Sequence, residues 1–116
     1  MSQLESSIQQ SCVSWFRILH SKYGIIFSCP NGANVPPANR GRLVREVMLS
    51  GVADLQILLK SGRCVFVEVK TPAKSSSRQS PNQKQFEKDV NEFGFEYYII
   101  RSLDEFRDLV KKILDK

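Results

Sequence analysis

The sequence predicts an α/β domain in which helices flank a mixed central β-sheet. Apolar residues recur at helical spacing in four segments and form short runs in four others, in the order α-β-α-β-β-α-β-α. A short glycine-containing turn joins two successive strands, which favours an antiparallel pair. A helix separates the last two strands, which favours a parallel pair. The 116 residues fit one domain, residues 1–116.

Four segments carry the end signals of helices: Ser2–Tyr23, Asn39–Ser50, Ser80–Phe93 and a last helix that begins at Ser102. The sequences SQLE and SLDE, at the starts of the first and last helices, each predict a capping box. Pro81 suits the first position of the third helix, and Gly94 ends it. The predicted inward residues are Leu4, Ile8, Cys12, Trp15, Phe16 and Leu19 in the first helix, and Phe106, Leu109, Val110, Ile113 and Leu114 in the last.

Four apolar runs predict strands: Ile25–Ser28, Asp54–Leu59, Arg63–Lys70 and Phe95–Ile100, the last of them buried. Within the third run, FVEVKTP places a glutamate and a lysine two residues apart. Strand side chains alternate faces, so Glu68 and Lys70 share one face with Phe66, and the neighbouring valines point the other way, into a core. An E-x-K triplet is usually an exposed ion pair, so by itself it identifies no site.

The loop between the second and third strands decides whether two carboxylates meet. A two-residue loop would turn Asp54 and Glu68 to opposite faces of the sheet. A three-residue loop, Lys60–Gly62, would pair Leu59 with Arg63. Continued along the strands, that register places Asp54 opposite Glu68. Three-residue loops favour a type I turn followed by a left-handed residue, usually glycine, and the glycine of this loop stands at that position.

Two directly opposed carboxylates repel each other, so their placement needs a reason. A divalent cation supplies one, because Mg²⁺ is often held by one or two carboxylates, waters and a substrate phosphate. The main-chain carbonyl of Val69, beside Glu68, is a further candidate ligand. Lys70 lies on the same face and can orient or deprotonate a water on the metal or neutralise a phosphate charge. The pattern therefore predicts a metal site that faces an anionic substrate.

Basic residues dominate the first two-thirds of the chain. Between Ser6 and Phe86, eleven Lys or Arg residues accompany only three acids, whereas after Phe86 acids outnumber bases by eight to six. This distribution suits a polyanion partner, although a solvated basic surface would have the same composition. Two of the three isolated acids, Asp54 and Glu68, lie in predicted strands rather than on a charged surface.

Several functional classes find no support in the composition. No apolar run exceeds four residues, so we expect a cytoplasmic protein with no membrane partner. Cys12, Cys29 and Cys64 are odd in number and widely spaced, unlike a disulfide framework. Together with His20, the one histidine, they lack the paired spacing of a zinc site, and we expect free thiols.

Three ordered motifs, GVADLQILL, GRCVFVEVKTP and SPNQKQF, resemble the VRR-NUC (virus-type replication-repair nuclease) branch of the PD-(D/E)XK nucleases. The resemblance covers nearly the whole chain. It implies a restriction-endonuclease-like αβββαβ core, with the helix Asn39–Ser50 added between the first two strands and a further helix at the C-terminal end. It also implies phosphodiester hydrolysis that depends on Mg²⁺ or Mn²⁺.

The resemblance assigns site roles to five side chains, namely Asp54, Glu68, Lys70, Gln83 and Glu5. The first two would be metal ligands, Lys70 the motif lysine, and Gln83 the motif glutamine. Glu5 matches an acid on the first helix, but its capping box is a sufficient explanation, so it stays open between ligand and cap. Gln83 lies on the sheet-facing stripe of its helix, where an amide needs polar partners. The family's proline before the aspartate is Ala53 here, a departure that concerns local geometry.

Together these observations predict a structure-selective DNA endonuclease. Small stand-alone members of the family resemble four-way-junction resolvases, so branched DNA is the expected substrate. The candidate DNA-backbone contacts are Arg40, Arg42, Arg45, Lys74, Arg78 and Lys84. A less selective nickase or flap nuclease is one alternative. A non-catalytic nucleic-acid-binding domain is another, against which the presence of Asp54, Glu68 and Lys70 argues.

Symmetric cutting of a four-way junction needs two active sites, and the sequence contains one such constellation. A two-fold homodimer would supply the second, so we expect a homodimer. Trp15, Phe16 and Phe27 are apolar residues that a partner could share. They can equally complete the core of the monomer, and the sequence does not distinguish these roles.

Overall fold

The computed structural model describes residues 2–29, 49–73 and 78–115. The helices in these ranges are α1 (Gln3–His20), α2 (Pro81–Glu92) and α3 (Leu103–Leu114). The strands are β1 (Gly24–Ser28), β2 (Leu55–Leu59), β3 (Arg63–Val69) and β4 (Glu96–Ile100). Residues 39–48 of the predicted second helix lie outside the described residues. Leu49 and Ser50, at its predicted end, are described and are not helical.

The described strands form one mixed sheet in the order β1-β2-β3-β4. β1, β2 and β3 are antiparallel neighbours, and β4 runs parallel to β3 after the crossover through α2. The α/β class and the mixed sheet are therefore confirmed. The prediction of a wholly buried last strand is wrong, because β4 lies at an edge of the sheet and only Tyr97 and Ile100 are buried.

Helices α1 and α3 pack on one face of the sheet and bury the main core. Phe16 of α1 and Phe106 of α3 are completely buried there, with the valines of β3. The predicted inward face of α3 is confirmed, since four of its five residues are buried and Leu114 packs against them. In α1 the prediction is wrong at both ends. Leu4 and Leu19 are 51% and 57% exposed, because the ends of this 18-residue helix extend beyond the apolar face.

Helix α2 packs on the opposite face and buries a smaller second core. Its Val90 is buried with Ala53, Phe66 and Tyr97, and the Phe66 ring meets the Phe86 ring edge to face at 5.1 Å. β3 therefore has apolar neighbours on both faces, which explains its nearly continuous hydrophobic run.

Two of the helix starts use the predicted capping chemistry in different ways. At α1 the Ser2 hydroxyl accepts from the Glu5 N–H, and the Glu5 carboxylate accepts from the Ser2 N–H, both at 3.1 Å. At α3 the Ser102 hydroxyl accepts from the Glu105 N–H at 3.1 Å, but Glu105 Oε1 accepts from the Arg101 N–H at 2.8 Å. The second box is therefore displaced by one residue, because the backbone of Ser102 (φ −161°) is more extended than that of Ser2 (φ −71°).

The turn between β2 and β3 confirms the predicted loop length. It consists of Lys60–Gly62 and pairs Leu59 with Arg63. Its backbone differs from the prediction, because Ser61 (φ 72°) is left-handed as well as Gly62 (φ 80°). A non-glycine residue in that conformation costs about 1–2 kcal/mol, so Ser61 is a strained position in the hairpin.

Arg63 ties the far end of β3 to its neighbours. Its guanidinium makes two hydrogen bonds to the Glu96 carboxylate, at 2.9 and 3.0 Å, and a third to the Ile113 carbonyl at 2.6 Å. This contact joins β3, β4 and α3 at the end opposite Glu68.

None of the helices in the described residues is long and apolar enough to cross a membrane. The three cysteines are free thiols, of which Cys12 is buried and the other two are half-buried. His20 ends α1, and its ring lies 4.8 Å from that of Trp15 in an aromatic cluster.

Candidate active site

The two predicted carboxylates lie side by side at one end of the sheet. Leu55 pairs with Val67, and the same register continued by one residue places Asp54 opposite Glu68. Leu55 and Val67 belong to the α1/α3 core, so both acids point to the α2 face. They are nearly inaccessible, with Asp54 5% and Glu68 1% exposed. The sequence prediction of facing carboxylates is confirmed in register and in face.

The main chain of β3 holds Asp54 in place. The Val69 N–H donates to Asp54 Oδ2 at 2.8 Å. In an extended strand the N–H and C=O of one residue point toward the same neighbouring strand, so the Val69 carbonyl also faces the Asp54 side. On its other side, the Asp54 carbonyl accepts from the Cys29 N–H at 2.9 Å, which extends the β1–β2 ladder past the end of both strands.

Glu68 has one oxygen paired and one unpaired. Gln83 Nε2 donates to Glu68 Oε1 at 3.2 Å. Glu68 Oε2 is buried and receives no hydrogen bond from a described donor, although the Asp54 carboxyl lies within hydrogen-bonding reach of Glu68 when one of the two acids carries a proton. Leaving a buried polar atom unpaired costs about 1–3 kcal/mol, and more for a charged group, so this oxygen calls for a proton or a cation.

Gln83 connects the acid to the predicted lysine. Its Oε1 accepts from Lys70 Nζ at 2.9 Å and from the Ser80 N–H at 2.8 Å. The Ser80 hydroxyl in turn accepts from the Gln83 N–H at 3.2 Å, so α2 begins with a capping box whose third residue is Gln83. The same amide therefore caps the helix and holds Lys70, which is 8% exposed, and Glu68 at a fixed separation.

The two carboxyls share a preference for the neutral form. Burial, followed by the adjacent Asp54 carboxylate, raises the pKa of Glu68 to about 9, and Lys70 opposes this rise. Burial also raises the pKa of Asp54, against the lowering effect of its hydrogen bond from Val69. A proton on Glu68 allows a hydrogen bond to Asp54 and relieves the repulsion between them.

A divalent cation would relieve the same repulsion. Hard oxygen ligands from two carboxylates, with one unpaired buried oxygen on Glu68, fit Mg²⁺ or Mn²⁺, which are commonly held by one or two carboxylates. Within the described part of the chain, no three His, Cys, Asp or Glu side chains are grouped closely enough to hold a metal. The candidate donor set is therefore Asp54, Glu68 and the carbonyl of Val69.

Glu5 stands close to the pair without joining such a group. Its charge raises the pKa of both Asp54 and Glu68, although less than burial does. Its carboxylate forms the α1 capping box with Ser2. Of its two predicted roles, the structure displays the cap, and a role as metal ligand stays a prediction.

No protein-family model matches the sequence, and no curated protein matches it. Solved structures share its architecture, including the following two. One, described as "VRR_NUC domain protein", superposes with a TM-score of 0.75 over 99% of this chain and 91% of its own, at 15% sequence identity. Another, described as "VRR_NUC domain", gives a TM-score of 0.65 over 95% and 97%, at 19% identity. This chain has the VRR_NUC fold.

The VRR_NUC fold agrees with the element order. α1, three antiparallel strands, the crossover helix α2 and the parallel strand β4 give the αβββαβ arrangement that the resemblance implied, and α3 follows it. At 15% and 19% identity the likeness concerns the fold. What the site does must therefore be argued from its own side chains.

The predicted DNA-contacting residues divide into two groups. Arg40, Arg42, Arg45 and Lys74 lie outside the described residues. Arg78 and Lys84 are described and exposed, before and within the first turns of α2. Gln83, at the same end of α2, contacts Glu68, so Arg78 and Lys84 lie on the side of the sheet that carries the carboxylates. Their contact with DNA stays a prediction.

One site-forming contact was not visible in the sequence. The turn before β2 lies directly on the start of α2, and Asn82 Nδ2 donates to Ser50 Oγ at 2.9 Å. Gly51 (φ +88°) comes so close that a Cβ there would lie 2.4 Å from the Asn82 carbonyl oxygen. This contact seats the helix that carries Gln83 against the strand that begins beside Asp54. Only the three-dimensional contact reveals that this position has no room for a side chain.

Proposed function

We propose that this protein is a divalent-metal-dependent DNA endonuclease that hydrolyses phosphodiester bonds. The observation that carries the proposal is the buried pair Asp54 and Glu68 with Lys70 on the same face of the sheet. A divalent cation can replace the proton on the buried, unpaired oxygen of Glu68, and an anion can pair with the buried lysine beside it. A phosphodiester in contact with a divalent cation satisfies both requirements. The VRR_NUC fold supports a nuclease of the PD-(D/E)XK type.

Each side chain has a distinct task in this proposal. Asp54, Glu68 and the Val69 carbonyl would hold Mg²⁺ or Mn²⁺. When bound, the cation would stabilise negative charge on the phosphate and lower the pKa of an attacking water. Lys70 would donate to a phosphate oxygen or orient the water, and Gln83 keeps it within reach by accepting one of its hydrogen bonds at 2.9 Å.

We propose branched DNA, and four-way junctions first, as the substrate. The net charge of +5 suits a nucleic-acid backbone, and the resemblance is to small family members that themselves resemble four-way-junction resolvases. In this proposal the charged groups of the site contact phosphate, and phosphate contacts carry no sequence information. Selection by the shape of the DNA is therefore the simpler expectation.

We also propose that the active form is a two-fold homodimer. Phe16 is completely buried and Trp15 packs against the same core, so these two residues serve the core of their own chain. The large apolar side chains left exposed nearby include Ile18 (78%), Leu19 (57%) and Ile25 (64%), at the end of α1 and in β1. Light scattering of wild type and an Ile18→Asp variant tests this interface. We expect wild type to be a dimer and the Ile18→Asp variant to be a monomer.

The proposed activity is tested with end-labelled duplex, nicked, flap and four-way DNA, each with Mg²⁺, Mn²⁺ or EDTA. The proposal expects the four-way junction to be cut fastest, with no cutting in EDTA. Equal cutting in EDTA would exclude the metal mechanism. Equal cutting of all substrates would leave a non-selective nickase, and metal-independent binding without cutting would leave a non-catalytic DNA-binding domain.

Glu68→Gln separates chemistry from binding in the same assay. The substitution removes a ligand charge with little change of shape, so cleavage should fall by at least about 10³-fold while junction affinity is retained. Arg78→Ala is the complementary variant, which tests binding rather than chemistry. If Arg78 contacts phosphate, the variant should bind more weakly across all DNA sequences and still cut at saturating DNA.

A further inference from the structure

Arg101 lies beside Lys70 at the carboxyl ends of the parallel strands β3 and β4. Val69 pairs with Ile100, and the Lys70 N–H donates to the Ile100 carbonyl at 3.0 Å, so the ladder continues past both strand ends. The next pair in this register is Lys70 with Arg101. Ile100 points into the α1/α3 core, so Arg101 turns to the face that carries Glu68 and Lys70.

The main chain directs the guanidinium toward the site. Arg101 Nη1 donates to the carbonyl of Thr71 at 2.7 Å, and Thr71 directly follows Lys70. The side chain therefore crosses from β4 to the end of β3. The bond to Thr71 uses one of the five N–H donors of a planar guanidinium and restricts the motion of the side chain.

We propose that Arg101 is a second phosphate-binding residue of this site and contacts a backbone phosphate of the DNA strand that Lys70 faces. The inference rests on the proposed nuclease function. Lys70 and Arg101 occupy adjacent positions of neighbouring strands on one face of the sheet, so a phosphate backbone that lies along this face would meet both cations. Arginine binds phosphate with two parallel, charge-assisted hydrogen bonds, and a guanidinium already oriented by a carbonyl loses less freedom on binding.

A purely structural role for Arg101 predicts different behaviour. If the side chain only ties β4 to the segment after β3, its loss should lower stability and affect kcat through the position of Lys70. It should leave the salt dependence of DNA binding unchanged, because no phosphate contact disappears. The two roles are therefore separated by KM and by the salt dependence, not by activity alone.

The test compares Arg101→Gln with Arg107→Gln, an identical change at an exposed arginine of α3, whose guanidinium lies 3.8 Å from Asp104. Cleavage of a four-way junction with Mn²⁺ gives kcat and KM for each variant. Binding of the junction is measured from about 50 to 200 mM salt in a Glu68→Gln background, so that the DNA is not cut. We expect KM to rise about 10- to 100-fold in Arg101→Gln, with kcat within a few fold. The slope of log affinity against log salt should fall by about one. Arg107→Gln should match wild type in both.

A second measurement covers the case in which Arg101→Gln does not fold. Phenylglyoxal modifies arginine side chains, and mass spectrometry gives the rate at each residue in the otherwise unaltered Glu68→Gln protein. Saturating junction DNA should slow modification of Arg101 several-fold and leave Arg107 unchanged. An unprotected Arg101, or unchanged KM and salt slope in a folded Arg101→Gln, would overturn the inference while the nuclease proposal stands. Wild type that neither binds nor cuts DNA would overturn both.

Discussion

Replacing Glu68 with glutamine should make the metal-free protein more stable at alkaline pH even though it abolishes the proposed activity. Glu68 is 1% exposed, and burial next to Asp54 raises its pKa from an ordinary 4.5 to about 9. Between these two values the folded protein binds one proton that the unfolded chain has released. The free energy of unfolding must therefore decrease as the pH rises through that interval.

The slope has a defined size. A difference of one bound proton changes the free energy of unfolding by about 1.4 kcal/mol per pH unit. From about pH 6 to about pH 8, Glu68 alone should therefore cost wild type about 3 kcal/mol, or about 10 °C in Tm for a domain of this size. In Glu68→Gln this contribution is absent, because the amide does not titrate and can donate to the Asp54 carboxylate.

The assay is thermal and guanidinium unfolding in EDTA, measured for both proteins at several pH values in that range. The difference between the proteins removes the contributions of the titrating groups that do not interact with Glu68, and leaves those of Glu68 and its coupled neighbour Asp54. Glu68→Gln should gain stability relative to wild type as the pH rises. Parallel pH profiles, or a constant loss of stability in the variant, would refute the reasoning that the pair is held together by a proton.

Three further substitutions test how the fold positions the site. Gly51→Ala should lower stability by at least about 2 kcal/mol in chemical denaturation and should reduce cleavage. The new Cβ would lie 2.4 Å from the Asn82 carbonyl oxygen, and the backbone φ of +88° is unfavourable for alanine. An unchanged denaturation midpoint would contradict the close contact. Ser61→Gly should raise stability by about 0.5–1 kcal/mol, because relief of the strain at φ 72° exceeds the extra chain entropy that glycine loses on folding. A loss of stability would contradict the strain. Arg63→Gln should lower stability by about 1–3 kcal/mol, because it breaks the ion pair with Glu96. It should leave kcat unchanged, since the end of β3 that carries the site is about 20 Å away. A lowered kcat in folded protein would contradict that separation.

Patterns that repeat along the chain made much of this fold predictable. The alternation around Glu68 and Lys70 identified the two faces of β3, and the length of the loop Lys60–Gly62 fixed the register that sets Asp54 opposite Glu68. Both inferences concern residues close in sequence, where strand geometry and turn preferences act directly. The resemblance to known nucleases added the motif glutamine Gln83, for which spacing alone gave only a sheet-facing position.

The remaining features depend on segments that meet only after folding. Gly51 lies against Asn82, and Arg101 reaches Thr71, across sequence separations that no periodicity encodes. Local preference also failed where two neighbours compete for one group. Glu105 was expected to cap its own serine, but a more extended N-cap presents the Arg101 N–H to it instead.

The claim that Asp54 and Glu68 together hold one divalent cation is tested most directly by calorimetric titration of Mn²⁺ into the DNA-free protein at about pH 8. The measurement compares wild type, Asp54→Asn, Glu68→Gln, the double variant and, as a control remote from the site, Arg63→Gln. We predict one Mn²⁺ site in wild type and in the control Arg63→Gln. Asp54→Asn and Glu68→Gln should each lower the Mn²⁺ affinity by at least about 100-fold. The double variant should show no further loss, because each carboxylate binds the cation only together with the other. Unchanged Mn²⁺ affinity in Glu68→Gln, or independent and additive losses in the double variant, would contradict a shared cation.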